Sequence, residues 1–221
     1  MRDSRWFPAA LGAYPCHRND PFRRLYDRRG STGNTGVAAV STRGASYGQE
    51  YETATSTKTR TRTFTTSIGL PAGVRGEMID LLNARLADTL DLYSQTKQAH
   101  WNVKGPEFYQ LHLLFDEHAG HADGWTDLIA ERVAILGGYA NGTVRMAASN
   151  SSLDEFPADI TESMEYVEAV AARWATYANA IREAIDEADK AGDATTADLL
   201  TEISRQADMD LWFQEAHLQD R

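Results

Sequence analysis

The chain has 221 residues, a formal net charge of −10 at pH 7 and a single cysteine, Cys16. This length predicts one domain with an appended segment. No uninterrupted apolar run approaches the length of a membrane span, and the apolar opening is too short and too broken for a signal peptide. One cysteine excludes an intrachain disulfide and favours a reducing compartment, so we expect a cytoplasmic protein.

Charge is divided unevenly along the chain. Residues 1–63 hold eleven Arg and Lys against five Asp and Glu, a net +6, and the remainder holds eleven against twenty-seven, a net −16. The first segment is rich in Thr, Ser, Gly and Arg without apolar periodicity, which predicts a disordered basic tail. Two interpretations stay open: the tail binds DNA phosphates without sequence preference through counterion release, or it is a solvated extension without a binding role.

From residue 64 onward the apolar residues follow helical spacing. The first helix is predicted over 74–101, with apolar residues three and four apart at Met78, Leu81, Leu82, Leu86, Leu90 and Tyr93. The pair Gly105-Pro106 ends it, because glycine frees the chain to turn and proline suits the first turn of a new helix. The second helix ends at Gly137-Gly138 and carries Phe108, Leu111, Phe115, Trp125, Leu128, Ile129, Val133 and Leu136.

Two more helices follow a long connection over residues 139–160. The third is predicted over 161–191, where Gly192 breaks it, and the fourth over 193–217. Their apolar positions are Met164, Val167, Ala171, Trp174, Ala178, Ile181 and Ile185, then Leu199, Leu200, Ile203, Leu211 and Phe213. No strand-like alternation of useful length appears in this part. The sequence therefore predicts an all-α four-helix bundle over residues 64–221, whose long connection lets the second and third helices run parallel.

Four candidate metal ligands occur around the turn and along the second helix: His100, His112, Asp127 and Glu131. Imidazole and carboxylate together suit first-row transition metals, iron included, better than the all-oxygen sites of calcium and magnesium. Asp127 and Glu131 are four residues apart, so they share one helix face. The two histidines flank the turn and can meet across it.

One chain cannot bring both pairs to the same ion. His112 and Asp127 are separated by roughly 22 Å along one helix, whereas metal–ligand bonds are only about 2 Å long. Two antiparallel copies of the helix can pair them if they cross near residues 120–122. Residues 119–124, Ala-Gly-His-Ala-Asp-Gly, are rich in small residues that would allow close approach. The spacing predicts a two-fold dimer with two equivalent metal sites in its interface.

Other interpretations of the same residues remain open. A lone helical histidine is more often packed or exposed than bound to metal, and an Asp/Glu pair four apart is usually a solvated face. His112 and Asp116 form a competing pair within one chain. His118 and His121 are further candidate ligands for an additional or shifted metal site, for which zinc is a candidate metal.

The run KQAHWNVKGPEFYQLHLLFDEH, followed by DLIAERV and Gly137-Gly138, resembles the signature of the Dps family, the mini-ferritins that protect bacterial DNA during starvation and oxidative stress. The similarity extends from about residue 63 to 218. It implies a ferritin-like four-helix bundle assembled into a hollow dodecamer. It also implies a ferroxidase centre between two subunits, with His100 and His112 from one chain and Asp127 and Glu131 from the other.

The resemblance further implies that Fe(II) is oxidised, preferably by hydrogen peroxide, and that ferric mineral is stored inside the shell. Trp101, beside His100, is then a candidate for intercepting stray oxidising equivalents, with interface packing as the alternative. The family gathers acids near the start of the last helix at a three-fold iron-entry pore, which Asp198 matches best and Asp193 second. The alternative interpretation is that those acids complement the helix dipole.

Three functions are therefore compared. The four candidate ligands favour an iron-storing ferroxidase. Only the basic tail favours a shell that binds the nucleoid. A metal-binding bundle without storage is the third and is ranked last, because the Glu-x-x-His spacing typical of single-bundle di-iron sites is missing.

Overall fold

The computed structural model describes residues 63–219. The basic tail predicted over residues 1–63 lies outside this part of the chain except for Thr63, so its disorder and its DNA binding remain predictions. Residues 63–219 contain helices and no strand, which confirms the all-α prediction. The helices are α1 Ala72–Asn102, α2 Phe108–Ile135, α3 Val144–Asn150, α4 Ser163–Ala191 and α5 Ala194–Ala216.

The four long helices form the predicted bundle. α1 packs along α2, α4 packs along α5, and α1 also contacts α4. Their bounds agree with the sequence prediction to within two or three residues. Pro106 is an exception: it lies in the turn before α2 and not in the helix itself. None of the described helices is both long and apolar enough to cross a bilayer.

The core lies between these helices and uses most of the predicted apolar stripes. Its largest fully buried side chains are Trp174, Tyr177, Phe115, Leu82, Leu86, Leu92, Leu111, Ile129, Leu136, Ile181, Leu200 and Ile203. Three apolar residues counted in those stripes, Phe108, Leu128 and Phe213, are exposed instead. Each is only partly covered by its own chain: Phe108 lies against the His112 ring and Phe213 near the His118 ring.

The crossover between α2 and α4 contains the short helix α3, which the sequence analysis did not predict. Thr143 begins it by accepting a hydrogen bond from the Met146 amide. Polar side chains then fasten the crossover to the bundle: buried Asp88 on α1 accepts hydrogen bonds from both the amide and the hydroxyl of Ser152. Arg173 on α4 donates to the Glu155 carbonyl. The long connection is thereby held against two helices.

A buried ion pair fixes the start of α5 to α2. Both carboxylate oxygens of Asp193 accept from one nitrogen of Arg132, at 2.8 and 3.0 Å, and the carboxylate also caps α5 by accepting from the Thr196 amide. Burial acts to raise the pKa of Asp193, but the hydrogen bonds from Thr196 and Arg132 outweigh it and hold that pKa below its usual value. With its exposed fraction at 2 %, Asp193 caps α5 within its own chain. This contact is of the kind that the dipole alternative describes, and a pore role for Asp193 stays a prediction.

Replacing Asp193 by alanine should lower the free energy of unfolding by about 3–5 kcal/mol, because it leaves the Arg132 guanidinium buried without a counter-charge. Denaturation at fixed protein concentration measures this. Asp198→Ala, an exposed change on the same helix, is the matched control. Because the pKa of Asp193 is lowered from 3.8, the wild-type advantage should persist at neutral pH and disappear as pH falls through that lowered value. A loss as large in Asp198→Ala would contradict the assignment.

Candidate metal centre

His100 and His112 come together where α1 ends and α2 begins. The connection is short, and Gly105 has a φ of 110°, a left-handed conformation that glycine adopts without strain. α2 therefore returns antiparallel against α1. The two imidazole rings stack with centroids 3.8 Å apart and an interplanar angle of 19°. The sequence predicted that the two histidines can meet across the turn, and the structure places their rings in contact there.

Each ring is held by the backbone of the other residue. His100 Nδ1 lies 2.7 Å from the His112 carbonyl oxygen, and His112 Nδ1 lies 2.8 Å from the His100 carbonyl oxygen. A carbonyl oxygen only accepts hydrogen bonds, so each Nδ1 must carry the ring proton. Both Nε2 atoms are then left with a lone pair. This is the tautomer in which histidine binds metal, with its other nitrogen oriented by a hydrogen bond.

A carboxylate and an ammonium group lie beside this histidine pair. Asp116 Oδ1 is 3.8 Å from His100 Nε2 and 2.6 Å from Lys97 Nζ. The hydrogen bond from Lys97 holds the pKa of the Asp116 carboxyl below its usual value. The competing site of His112 with Asp116 therefore has its carboxylate already bound to a cation. Lys97 thus pairs with Asp116, a carboxylate outside the four predicted ligands.

Trp101 lies on the outer side of the same helix end. It is 61 % exposed, with Lys97 Nζ 5.9 Å from the centre of its ring. An indole this exposed contributes little to the core of its own chain. It is available either to a neighbouring subunit or to solvent.

The predicted carboxylate ligands are not near the histidines of their own chain. Asp127 and Glu131 are exposed on α2 and form no ion pair with any residue between 63 and 219. Fifteen helical residues separate Asp127 from His112, a rise of roughly 22 Å. In that part of the chain no three His, Cys, Asp or Glu side chains are arranged to hold an ion. Each chain thus presents two separate halves of the predicted ligand set.

The helix face between these halves is open and partly apolar. A Cβ atom added at Gly120 or Gly124 would meet no atom within 4 Å. At 100° per residue, these glycines lie on the same face of α2 as Asp127 and Glu131. Exposed apolar side chains on this face are Tyr109, Leu113, Leu128 and Ile135.

His118 and His121 point away from that face and toward α5. His118 is fully buried and its Nδ1 lies 2.8 Å from Gln214 Nε2, while His121 Nδ1 lies 2.8 Å from Asp210 Oδ2. The sequence pattern indicated the two histidines as candidate ligands but gave no role to Asp210 and Gln214. The available signal was that Asp210 and Gln214 lie four residues apart within the apolar stripe of the last helix.

The acids at the start of α5 are in different environments. Asp198 is exposed, whereas Asp193 is buried in the ion pair with Arg132. Of the two predicted pore residues, only Asp198 presents its carboxylate to the surface.

Known proteins match most of the bundle. A family model for the ferritin-like domain matches residues 79–221. A DNA protection during starvation protein of Agrobacterium fabrum is 44 % identical over 156 residues, which are 71 % of this chain and 96 % of the relative. A protein of the same description from Brevibacillus brevis is 34 % identical over 139 residues, 63 % of this chain and 93 % of the relative.

Solved structures give the same result. DpsC from Streptomyces coelicolor superposes with a TM-score of 0.68 at 32 % identity, covering 72 % of this chain and 93 % of that one. A Dps homologue from Halobacterium salinarum superposes with a TM-score of 0.69 at 30 % identity, covering 78 % and 96 %.

Replacing Lys97 by methionine should raise the pKa of Asp116 toward its ordinary value of 3.8, because the Lys97 hydrogen bond is the largest cause of its depression. A pH titration of the Asp116 carboxyl carbon by NMR in metal-free protein measures this. Lys104→Met is the control, since Lys104 lies over the Phe108 ring and makes no ion pair among the described residues. An Asp116 pKa unchanged by Lys97→Met would show that the ion pair does not form in solution.

Proposed function

The chain belongs to the Dps family of ferritin-like proteins, and we propose that it oxidises Fe(II) at centres shared between two subunits and stores the ferric product in a hollow dodecamer. The observation that carries this proposal is the reciprocal hydrogen bonding of His100 and His112. It orients two stacked imidazoles whose Nε2 atoms remain available to a metal, which supports a role as ligands. A packed or surface histidine pair has no need of this arrangement.

Sharing between subunits follows from the length of α2. The histidine half and the carboxylate half of the ligand set lie too far apart in one chain to hold one ion. Two antiparallel α2 helices crossing near residue 120 bring the histidines of each chain to Asp127 and Glu131 of the other. Gly120 and Gly124 have open space where the helices would cross, which supports close approach. Two-fold symmetry then makes two equivalent centres per dimer.

The chemistry of the donors suits iron as a substrate that changes oxidation state. Neutral imidazole nitrogens bind Fe(II) well, and anionic carboxylates favour Fe(III) more strongly because of its higher charge. Asp116 Oδ1 lies 3.8 Å from His100 Nε2 and would add an oxygen donor for a second iron once the ion displaces Lys97 from it. Two Fe(II) ions together supply the two electrons that reduce one hydrogen peroxide, with two protons, to two water molecules. Paired one-electron donors therefore avoid release of hydroxyl radical, and we propose peroxide as the preferred oxidant.

Other residues would serve the same function around the centre. Exposed Trp101, next to His100 in sequence, would intercept oxidising equivalents that escape the irons. Exposed Asp198 would line the entry for Fe(II). The net charge of −16 on residues 64–221 favours cations near such an opening.

Association with DNA is a second candidate function, favoured by the segregation of charge. Residues 1–63 carry a net +6, whereas the rest of the chain is strongly acidic and would repel phosphates. Any binding to DNA should therefore depend on the tail and weaken steeply with salt. Protection of DNA is part of the relatives' names, and for this chain it remains a proposal.

The shared centre can be tested by mixing two inactive variants, His100→Ala and Asp127→Ala. In each variant alone, every centre lacks one ligand. A mixed dimer places both lesions in one centre and leaves the other complete. After random reassortment, half of the dimers are mixed, so activity should recover to about a quarter of the wild-type rate of peroxide-driven Fe(II) oxidation.

Glu187→Ala, an exposed acid on α4, serves as the matched control and should keep full activity. Lack of recovery on mixing, with mixed dimers confirmed by mass spectrometry, would show that the ligands are not shared between chains. Full activity in either single variant would show that the centre lies elsewhere.

The proposed crossing of α2 helices predicts that Gly120→Arg abolishes the dimer but leaves the bundle folded. The added side chain meets nothing within its own chain, yet it would occupy the crossing point. Sedimentation should show a smaller assembly than the wild type, in which the 24.5 kDa chains are no longer paired as dimers. The helical circular dichroism should be unchanged. Gly73→Arg, also in open space but on α1, is the control. Assembly of Gly120→Arg at wild-type size would contradict this interface.

A further inference from the structure

A second group of polar side chains lies inside the bundle between α2 and α5, apart from the proposed ferroxidase centre. It consists of His118, His121 and Asp210, with Gln206 and Gln214 beside them. His118 and Asp210 are almost wholly buried, and the His121 side chain is 32 % exposed. Around the histidines the walls are aromatic: Trp125 near His121, and Trp174 and Phe213 near His118.

The polar groups of this cluster are incompletely satisfied. His118 Nε2 is buried without a hydrogen-bond partner, 3.7 Å from Asp210 Oδ1. Gln214 Oε1 is also buried without a partner. Asp210 has no ion pair with a lysine or arginine in the described part of the chain. A buried carboxylate and a buried imidazole nitrogen facing one another across such a gap are costly unless something binds both.

We propose that His118, His121 and Asp210 bind one divalent transition-metal ion inside each subunit, with Zn²⁺ the best fit. Two imidazoles and one carboxylate, with an open fourth position, form a ligand set that zinc commonly adopts. Zinc also binds such nitrogen and oxygen donors more tightly than Fe(II) does. The site would therefore hold zinc while iron passes through the interface centre.

The distances between the donor atoms show what must change for an ion to bind. The separation from His118 Nε2 to Asp210 Oδ1 is 3.7 Å, which corresponds to an angle of roughly 125° at an ion about 2.1 Å from both atoms. The separation from His121 Nδ1 to Asp210 Oδ2 is 2.8 Å, a hydrogen-bond distance that must lengthen for an ion to enter between the two atoms.

Loading requires a modest rearrangement. The metal-free donors do not yet surround one point, and Asp210 is hydrogen-bonded to His121 Nδ1 and to Gln206 Nε2. The His121 proton must move to the other ring nitrogen so that Nδ1 can bind the ion. The partial exposure of His121 gives the ion a way in and its ring some freedom.

The ring of His118 can adopt either tautomer. Gln214 lies 2.8 Å from His118 Nδ1, and its amide offers a donor at one end and an acceptor at the other. With the amide nitrogen toward the ring, the His118 proton lies on Nε2; with the oxygen toward it, Nδ1 holds the proton and Nε2 is free for metal. Burial lowers the pKa of His118 to about 3, so the ring is neutral at physiological pH.

The site can be tested by metal binding without any iron oxidation. The background should carry Asp127→Asn and Glu131→Gln, exposed changes that remove the carboxylates of the interface centre. With Co²⁺ as the spectroscopic substitute for Zn²⁺, we expect about one ion per chain with the visible absorption of a four-coordinate site. Zn²⁺ should also raise Tm, because it binds only the folded state.

Adding Asp210→Asn or His121→Asn should abolish both the absorption and the rise in Tm. Asp208→Asn, an exposed change on the same helix, should leave them intact. His121→Asn alters a partly exposed side chain and keeps its hydrogen-bonding capacity, so the bundle should fold, as circular dichroism would verify. Absence of Co²⁺ from the background protein, or equal binding in the Asp210→Asn and His121→Asn proteins, would overturn the proposal. Neither result bears on the shared ferroxidase centre, which the mixing experiment tests separately.

Discussion

The straightness of α2 is the constraint on which the rest of this protein depends. A continuous helix of 28 residues fixes the separation between its first and last turns. The histidine pair at one end is therefore kept away from the carboxylates near the other. In the proposed function a single chain holds two half-sites, and only association makes a whole one. Catalysis and assembly are coupled in the proposed function because one helix serves both.

Two buried carboxylates, Asp193 at the N-cap of α5 and Asp210 within it, have different electrostatic environments. Asp193 receives a guanidinium and a helix N-terminus, and its pKa is lowered. Asp210 receives only histidines and a glutamine amide, and burial raises its pKa. The first arrangement is complete within the chain and holds α5 to α2. The second lacks a fixed cation, which is the physical reason for placing a metal ion there.

The sequence predicted the four long helices and most of the core, because apolar spacing of three and four specifies a helix face regardless of context. It also supplied the separation of His112 from Asp127, which depends only on rise per residue. The exposure of Phe108, Leu128 and Phe213 was not predicted. Periodicity identifies an apolar helix face but does not specify which surface covers each side chain. The short α3 was not predicted either, because seven residues carry too little periodicity to detect.

What the sequence determined by itself was therefore the all-α bundle, the types of the candidate ligands and the distance that divides them. Only the tertiary structure decided which polar groups meet. It placed His100 against His112, which are twelve positions apart, and Lys97 against Asp116, which are nineteen apart. It also buried Asp193 against Arg132 and brought His118 to face Asp210. Each of these contacts depends on how two helices pack against each other. Linear spacing fixes geometry within one helix. Side chains on different helices are placed by packing, which periodicity does not specify.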